Sequence, residues 1–169
     1  MWGLSWDFDK SYDSLEWDFI LAMMRALGLD RKVVDLVHQC ISIVQFTLLL
    51  NSTKSSSFTP VRGLRQGDPL SLYLFIMCVD VLARLINREV ARGSIKGVKL
   101  GLGAITISKL FYADDVLLFC GAKISEVDVL MNCIDKYYLW SGQSISIEKS
   151  GIFVSKGVHR NFIAQVKNQ

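Results

Sequence analysis

Three aspartates stand where a folded chain seldom puts carboxylates. Asp7 closes an apolar run within Trp6-Asp7-Phe8, while Asp114 and Asp115 sit between Leu110-Phe111-Tyr112 and Val116-Leu117-Leu118-Phe119. Each flank reads as a strand, so neighbouring strands would bring the carboxylates to one edge of a sheet. Like charges packed that closely repel unless they are protonated or bridged by cations. An all-oxygen donor set suits Mg²⁺, which takes one or two carboxylates plus substrate phosphates and keeps its other waters. Two such ions about 3.5–4 Å apart support in-line phosphoryl transfer. Taken by itself, an Asp-Asp pair in a hairpin is also ordinary turn chemistry, so these residues alone leave both readings open.

The elements that must position these groups follow from local pattern. Leu4 to Phe8 predicts a short strand. Asp13-x-x-Glu16 predicts a capping box opening a helix through about Leu27, stopped at Gly28. Asp30 is the expected N-cap of a second helix, from about Arg31 to Ile41. Phe46 to Asn51 and Phe58 to Val61 read as the arms of a hairpin, with Ser52-Thr53-Lys54-Ser55-Ser56-Ser57 as its turn. Asp68-Pro69, a cap followed by proline at the first helical position, opens a long helix to about Arg92 that stops at Gly93. Ile105 to Tyr112 and Val116 to Cys120 predict a hairpin across Ala113-Asp114-Asp115. A last helix covers about Ser125 to Trp140 and stops at Gly142; a strand pair follows around Ile145 to Val154. The order predicts an α+β fold with helices on one face of a largely antiparallel sheet.

Composition narrows the class. With 169 residues, 51% hydrophobic and 21% charged, the chain can build one domain with a core and is no disordered tail. A net charge of +3 permits an acidic partner without demanding one. Cys40, Cys78, Cys120 and Cys133 are widely spaced and the histidines are His38 and His159, which argues against a zinc site or a disulfide scaffold. Met1 to Lys10 does not read as a signal peptide, and the apolar stretch Leu70 to Ile86 is interrupted by Asp80, short of a membrane span. The expected setting is intracellular and away from membranes, with nucleus and cytoplasm not distinguished. Arg84, Arg88 and Arg92 make one basic stripe, read first as a solvated helix face and second as a track for a nucleic-acid backbone.

Four segments occur in a telling order: Asp7-Phe8-Asp9-Lys10-Ser11-Tyr12-Asp13, Arg62-Gly63-Leu64-Arg65-Gln66-Gly67-Asp68-Pro69-Leu70-Ser71, Phe111-Tyr112-Ala113-Asp114-Asp115, and Gly142-Gln143-Ser144-Ile145-Ser146-Ile147-Glu148-Lys149-Ser150. Together they resemble the palm motifs of reverse transcriptases, most closely those of plant-type non-LTR (LINE-like) retrotransposons, over roughly Trp6 to Ser155. Group II intron maturases share the same palm, but the segment Arg62 to Ser71 fits the LINE-like type better. The resemblance implies an RNA-directed DNA polymerase joining a dNTP to a DNA primer 3′-hydroxyl on an RNA template. It implies that Asp7, Asp114 and Asp115, helped by the Phe8 carbonyl, bind two Mg²⁺ ions, for which Mn²⁺ can substitute. Tyr12, five residues after Asp7, falls where the family places an aromatic ring beneath the incoming sugar, excluding a 2′-hydroxyl; the plainer alternative is a core tyrosine. Gln66 and Gly67 match positions that contact nucleotide and template, and Arg65 reaches either a phosphate or solvent. Lys149 matches a lysine that protonates the departing pyrophosphate, its alternative being a surface residue.

By the same resemblance, residues 1–155 form a partial palm and residues 156–169 a C-terminal extension that begins the next segment. Leu72 stands where the family usually has proline. Fingers ahead of Asp7 and a thumb after Lys149 are not evident in this stretch, so the expected fold is a truncated palm with little or no activity on its own. The rival reading is a non-catalytic retroelement remnant or a domesticated nucleic-acid-binding protein.

Overall fold

Leu4, Trp6 and Phe8 are buried along the first strand, β1 (Trp2–Asp9), the period-two signature of a strand with one covered face. The computed structural model describes residues 2–99, 106–112, 115–155, 158 and 162. After β1 come helices α1 (Trp17–Ala26) and α2 (Arg31–Ser42), then a small hairpin, β2 (Leu49–Leu50) and β3 (Thr53–Lys54). The long helix α3 (Pro69–Ala91) leads to β4 (Val98–Lys99), β5 (Thr106–Ile107), β6 (Lys109–Tyr112) and β7 (Asp115–Cys120). Helix α4 (Ile124–Ser141) precedes β8 (Ser144–Ile145), a single 3₁₀ turn (Ile147–Lys149) and β9 (Gly151–Val154).

The main sheet runs β6-β7-β1-β8, with β9 also paired to β1. All its pairings are antiparallel. Leu4 lies opposite Leu118 and Trp6 opposite Val116, and these residues are buried. They meet helix residues such as Ile20, Met24, Leu82, Ile86, Leu130, Ile134 and Tyr137 in one continuous core. The other face carries Leu110, Tyr112 and Phe153, all exposed. Gly3 sits on that face opposite Phe119, whose ring would stand 3.2 Å from an added Cβ. This is the expected α+β layering.

Local punctuation lands where the sequence places it. The Asp30 carboxylate accepts the Lys32 N–H at 2.8 Å and the Asp68 carboxylate accepts the Leu70 N–H at 2.9 Å, each satisfying an orphan donor of a first turn. Gly28, Gly93 and Gly142 take positive φ and end their helices.

Several expectations are corrected. Helix α1 starts at Trp17, and no side chain caps its N-terminus. The capping box at Asp13 does not form, because residues 10–16 make a loop whose Glu16 N–H donates to the distant Ser141 carbonyl at 2.9 Å. The hairpin turns earlier than expected, at Asn51 and Ser52, both at positive φ, so Thr53 and Lys54 belong to its return strand. A bridge between Phe46 and Phe58 closes its base. The single strand expected up to Tyr112 divides at Ser108: β5 pairs with β4 and β6 with β7. Ile105 lies outside the described residues. β8 and β9 do not pair with each other, since each finds its partner along a different stretch of β1. Helix α3, with 23 residues, is long and apolar enough to cross a bilayer by length and composition despite Asp80. Half of that apolar window is buried inside the protein, where it serves as the core helix.

Candidate active site

The acidic edge comes from the register of the two central strands. In the β1–β7 ladder, Asp7 lies directly opposite Asp115, one step beyond the pair Trp6 and Val116. Directly opposed residues of an antiparallel pair share a face, their Cα atoms roughly 4.5–5.5 Å apart. Asp115 is exposed, so a carboxylate at that end of β7 is open to a ligand. Asp114 lies outside the described residues. Among the described residues, no group of three His, Cys, Asp or Glu side chains converges as a metal cage. The donor set still fits a hard cation: two aspartate positions are brought together by backbone pairing, and a third is adjacent in sequence.

Phe8 faces the opposite way, into the core. Its ring meets Phe75 edge-on with centroids 6.2 Å apart and is 3% exposed. Just beyond β1, Tyr12 is half-buried and stacks on Phe75, the centroids 4.8 Å apart and the rings inclined by 21°. A groove of about 550 Å³ opens beside this pair, lined by Tyr12, Phe75, Ile76, Val79, Phe111 and Leu72 among others. Leu72 stands half-exposed on it, and the first turn of α3 forms normally around Pro69.

The segment holding Arg65, Gln66 and Gly67 is an exposed turn before α3. It is tied to the Tyr12 loop by two backbone bonds: Leu64 N–H to the Tyr12 carbonyl at 2.8 Å, and Gly63 N–H to the Leu15 carbonyl at 2.7 Å. Gly63, at φ +88, brings the loop so close that an added Cβ would lie 2.7 Å from the Asp13 carbonyl oxygen. Gly67 also has positive φ but opens onto free space, which leaves room for a ligand against its backbone. Arg62 is engaged by Glu16 at 3.2 Å. Asp68 serves the helix cap, as its position suggested.

Lys149 ends the 3₁₀ turn between β8 and β9 and is exposed; its N–H donates to the Ser146 carbonyl at 3.2 Å. Because β8 and β9 both run along β1, that turn lies beside the strand carrying Asp7. Of the basic stripe, Arg84 pairs with Asp80 at 2.6 Å, while Arg88 and Arg92 reach Glu89 at 3.2 and 3.0 Å. The stripe is three exposed arginines paired along α3 and at its end, each pair of small energetic weight.

Sequence reasoning missed the residues that hold the loop itself: Gly63, Trp17, Tyr137 and Gln143. The Trp17 indole N–H donates to the Gly63 carbonyl at 2.7 Å. Gln143 is buried and its side-chain amide donates to the Ser11 carbonyl at 2.7 Å. No local pattern marks a glutamine as buried; Gln143 stood only as part of the fourth motif segment, with no role of its own.

The family model described as reverse transcriptase (RNA-dependent DNA polymerase) matches residues 1–163. An uncharacterized mitochondrial protein of Arabidopsis thaliana is 43% identical over 67 residues, covering 40% of this chain and 55% of that protein. A retrovirus-related Pol polyprotein of the type-2 retrotransposable element R2DM of Drosophila melanogaster is 34% identical over 129 residues, covering 76% of this chain but 11% of the relative. The chain thus spans only part of the curated relatives it matches. Among solved structures, telomerase from Candida albicans, in complex with a fragment of telomeric RNA, superposes with a TM-score of 0.69 over 94% of this chain and 28% of its own, at 12% identity. Apo telomerase from Candida tropicalis gives 0.66 over 92% of this chain and 31% of its own, also at 12% identity. At such identity these likenesses speak for the fold alone.

Proposed function

We propose, because this chain belongs to the reverse transcriptase family as part of the polymerase of a non-LTR element, that it carries the nucleotidyl-transfer centre of an RNA-directed DNA polymerase. Reverse transcriptases are nucleotidyltransferases that use divalent metal ions. The observation that carries the reading is Asp7 set opposite Asp115 on adjacent strands. Asp7, Asp114 and Asp115, with the Phe8 carbonyl, would hold two Mg²⁺ ions. When bound, such ions lower the pKa of the primer 3′-hydroxyl and neutralise charge on the leaving pyrophosphate. Phosphoryl transfer asks the protein mainly for positioning and charge neutralisation.

The remaining roles fall to side chains around that edge. The Tyr12 ring, braced by Phe75, lies under the incoming sugar and excludes a 2′-hydroxyl by shape. Gln66 and Gly67 present an open turn to the nucleotide and template, and Arg65, exposed beside them, meets a phosphate. Lys149 gives a proton to the departing pyrophosphate. The template is RNA, the primer DNA and the substrate a dNTP.

Two measurements on the purified chain test this. Mg²⁺ titration followed by calorimetry should show saturable binding that weakens at least about tenfold in Asp7→Asn and Asp115→Asn. The isolated palm is expected to extend a primer weakly or not at all, and any extension on an RNA template should fall by about a hundredfold or more in the same variants. Extension that survives both substitutions overturns the assignment, and RNA binding with no Mg²⁺ site would favour the non-catalytic nucleic-acid binder.

A further inference from the structure

The loop bearing Tyr12 is gripped from two sides. On one side the Tyr12 carbonyl accepts the Leu64 N–H at 2.8 Å. On the other, the preceding carbonyl, that of Ser11, accepts the side-chain Nε2–H of Gln143 at 2.7 Å, across 132 residues of sequence. Gln143 is 3% exposed, and its side-chain amide is bonded at both ends, Nε2 to Ser11 and Oε1 accepting from the Tyr137 hydroxyl, while its backbone N–H donates to Ser141 Oγ at 3.2 Å. A carbonyl can only accept, so the –NH₂ end must meet Ser11, and this settles which way the amide points. Burying an amide is unfavourable unless it is fully bonded, whereas a leucine would fill the same space with no such requirement. The two residues before Gln143 reinforce the join. Glu16 N–H donates to the Ser141 carbonyl at 2.9 Å, and Gly142 packs so closely that an added Cβ would lie 2.9 Å from the Ser14 carbonyl oxygen.

We infer that Gln143 is a positioning residue for sugar selection: by holding the Ser11 carbonyl it sets the direction of the Tyr12 ring against Phe75. The inference rests on the reading of Tyr12 as the ring beneath the incoming sugar. The two carbonyls flanking the Tyr12 Cα are held by groups from two distant segments of the chain, at Leu64 and Gln143. With both bonds in place the ring has one course onto Phe75; with the Ser11 bond gone, the peptide is free to turn and the ring to tilt. A misplacement of an ångström in a positioning group is enough to change rates severely.

Three variants of the chain test this. Gln143→Leu removes both side-chain bonds, Gln143→Glu keeps an acceptor for Tyr137 but has no donor for Ser11 at a pH where it is ionised, and Tyr137→Phe leaves the Ser11 bond untouched. The first readout is the ratio of kcat/KM for dTTP to that for UTP, on an RNA template with a DNA primer and Mg²⁺. The ratio should narrow about tenfold in both Gln143 variants and move less than about twofold in Tyr137→Phe. The second readout is hydrogen exchange at the Asp13 and Glu16 amides, which donate to the Lys10 and Ser141 carbonyls. Exchange there should speed up about tenfold or more in the Gln143 variants only. An unchanged ratio, or an equal loss for both nucleotides, overturns the inference, as does unchanged exchange. A wild-type chain that incorporates neither nucleotide is what a truncated palm is expected to give; exchange then decides the Gln143 inference alone, and it is a failure to bind Mg²⁺ saturably that counts against the polymerase reading.

Discussion

Two connections flank the turn at residues 62–67, and they are built in opposite ways. The loop at 10–16 is short, with Ser11 and Leu15 buried and its backbone bonded to Gly63, Leu64, Ser141 and Gln143. The arm at 43–61 is long and carries apolar residues on both limbs, yet Ile43, Leu49 and Val61 are 79%, 66% and 83% exposed. It is held together by a two-residue ladder, two hydrogen bonds between Leu48 and Ser55, the Phe46–Phe58 bridge and the tilted contact of those two rings. A buried backbone group must find a partner, so a loop pressed into the interior is fixed wherever its carbonyls and amides are answered. An exposed arm carries no such obligation. Positional accuracy therefore concentrates at the loop bearing Tyr12, while the arm is an apolar surface of the kind that meets other molecules or promotes association.

The sharpest way to break this contrast is Gly63→Ala. At φ +88 and with backbone atoms of Asp13 2.7–3.1 Å from the new Cβ, neither partner has room to move, and urea unfolding should show a loss of about 3 kcal/mol. Gly67→Ala is its control, with the same sign of φ but open space around it, and should cost about 1 kcal/mol. Equal costs at the two glycines would mean that the loop at 10–16 does not press on Gly63. Trp17→Phe removes the indole donor to the Gly63 carbonyl and should lower stability by about 1 kcal/mol in the same assay.

Changes in the arm should be far smaller. Leu49→Ser should stay within about 0.5 kcal/mol of wild type while reducing self-association in light scattering; a loss comparable to that of Gly63→Ala would show the arm to be packed. The thiols sharpen the contrast without altering stability at all. Cys40 is exposed at the end of α2, whereas burial pushes the Cys78 thiol up to about 12, and burial also pushes the Cys120 thiol up to about 12. Both buried thiols remain protonated, and so unreactive, at pH 8. A thiol reagent at that pH should titrate Cys40 rapidly and reach Cys78, Cys120 and Cys133 only after unfolding. A second fast thiol in the native chain would show that the core opens.

Much of the local architecture was legible in the residues. Asp30 and Asp68 cap, Pro69 opens and Gly28, Gly93 and Gly142 stop their helices, because each acts within a single turn of backbone. Apolar, β-branched and aromatic runs marked the strands flanking Asp7 and Asp115, since such side chains suit a pleated, half-buried surface. The same logic failed at Asp13, where a local cap was outcompeted by the bond from Glu16 to Ser141, and at Asn51, whose tolerance of positive φ drew the turn forward.

The amino-acid sequence by itself determined the helices and where they stop, the strands flanking Asp7 and Asp115, and which motifs place the chain in its family. Tertiary structure alone decided that Asp7 falls opposite Asp115, that β8 and β9 share β1 as their partner, and that Gln143 answers Ser11. These are matters of register and burial across long loops. A slip of one residue would turn every side chain to the other face, and only the assembled core, with its buried polar groups each needing a partner, selects one register over the rest.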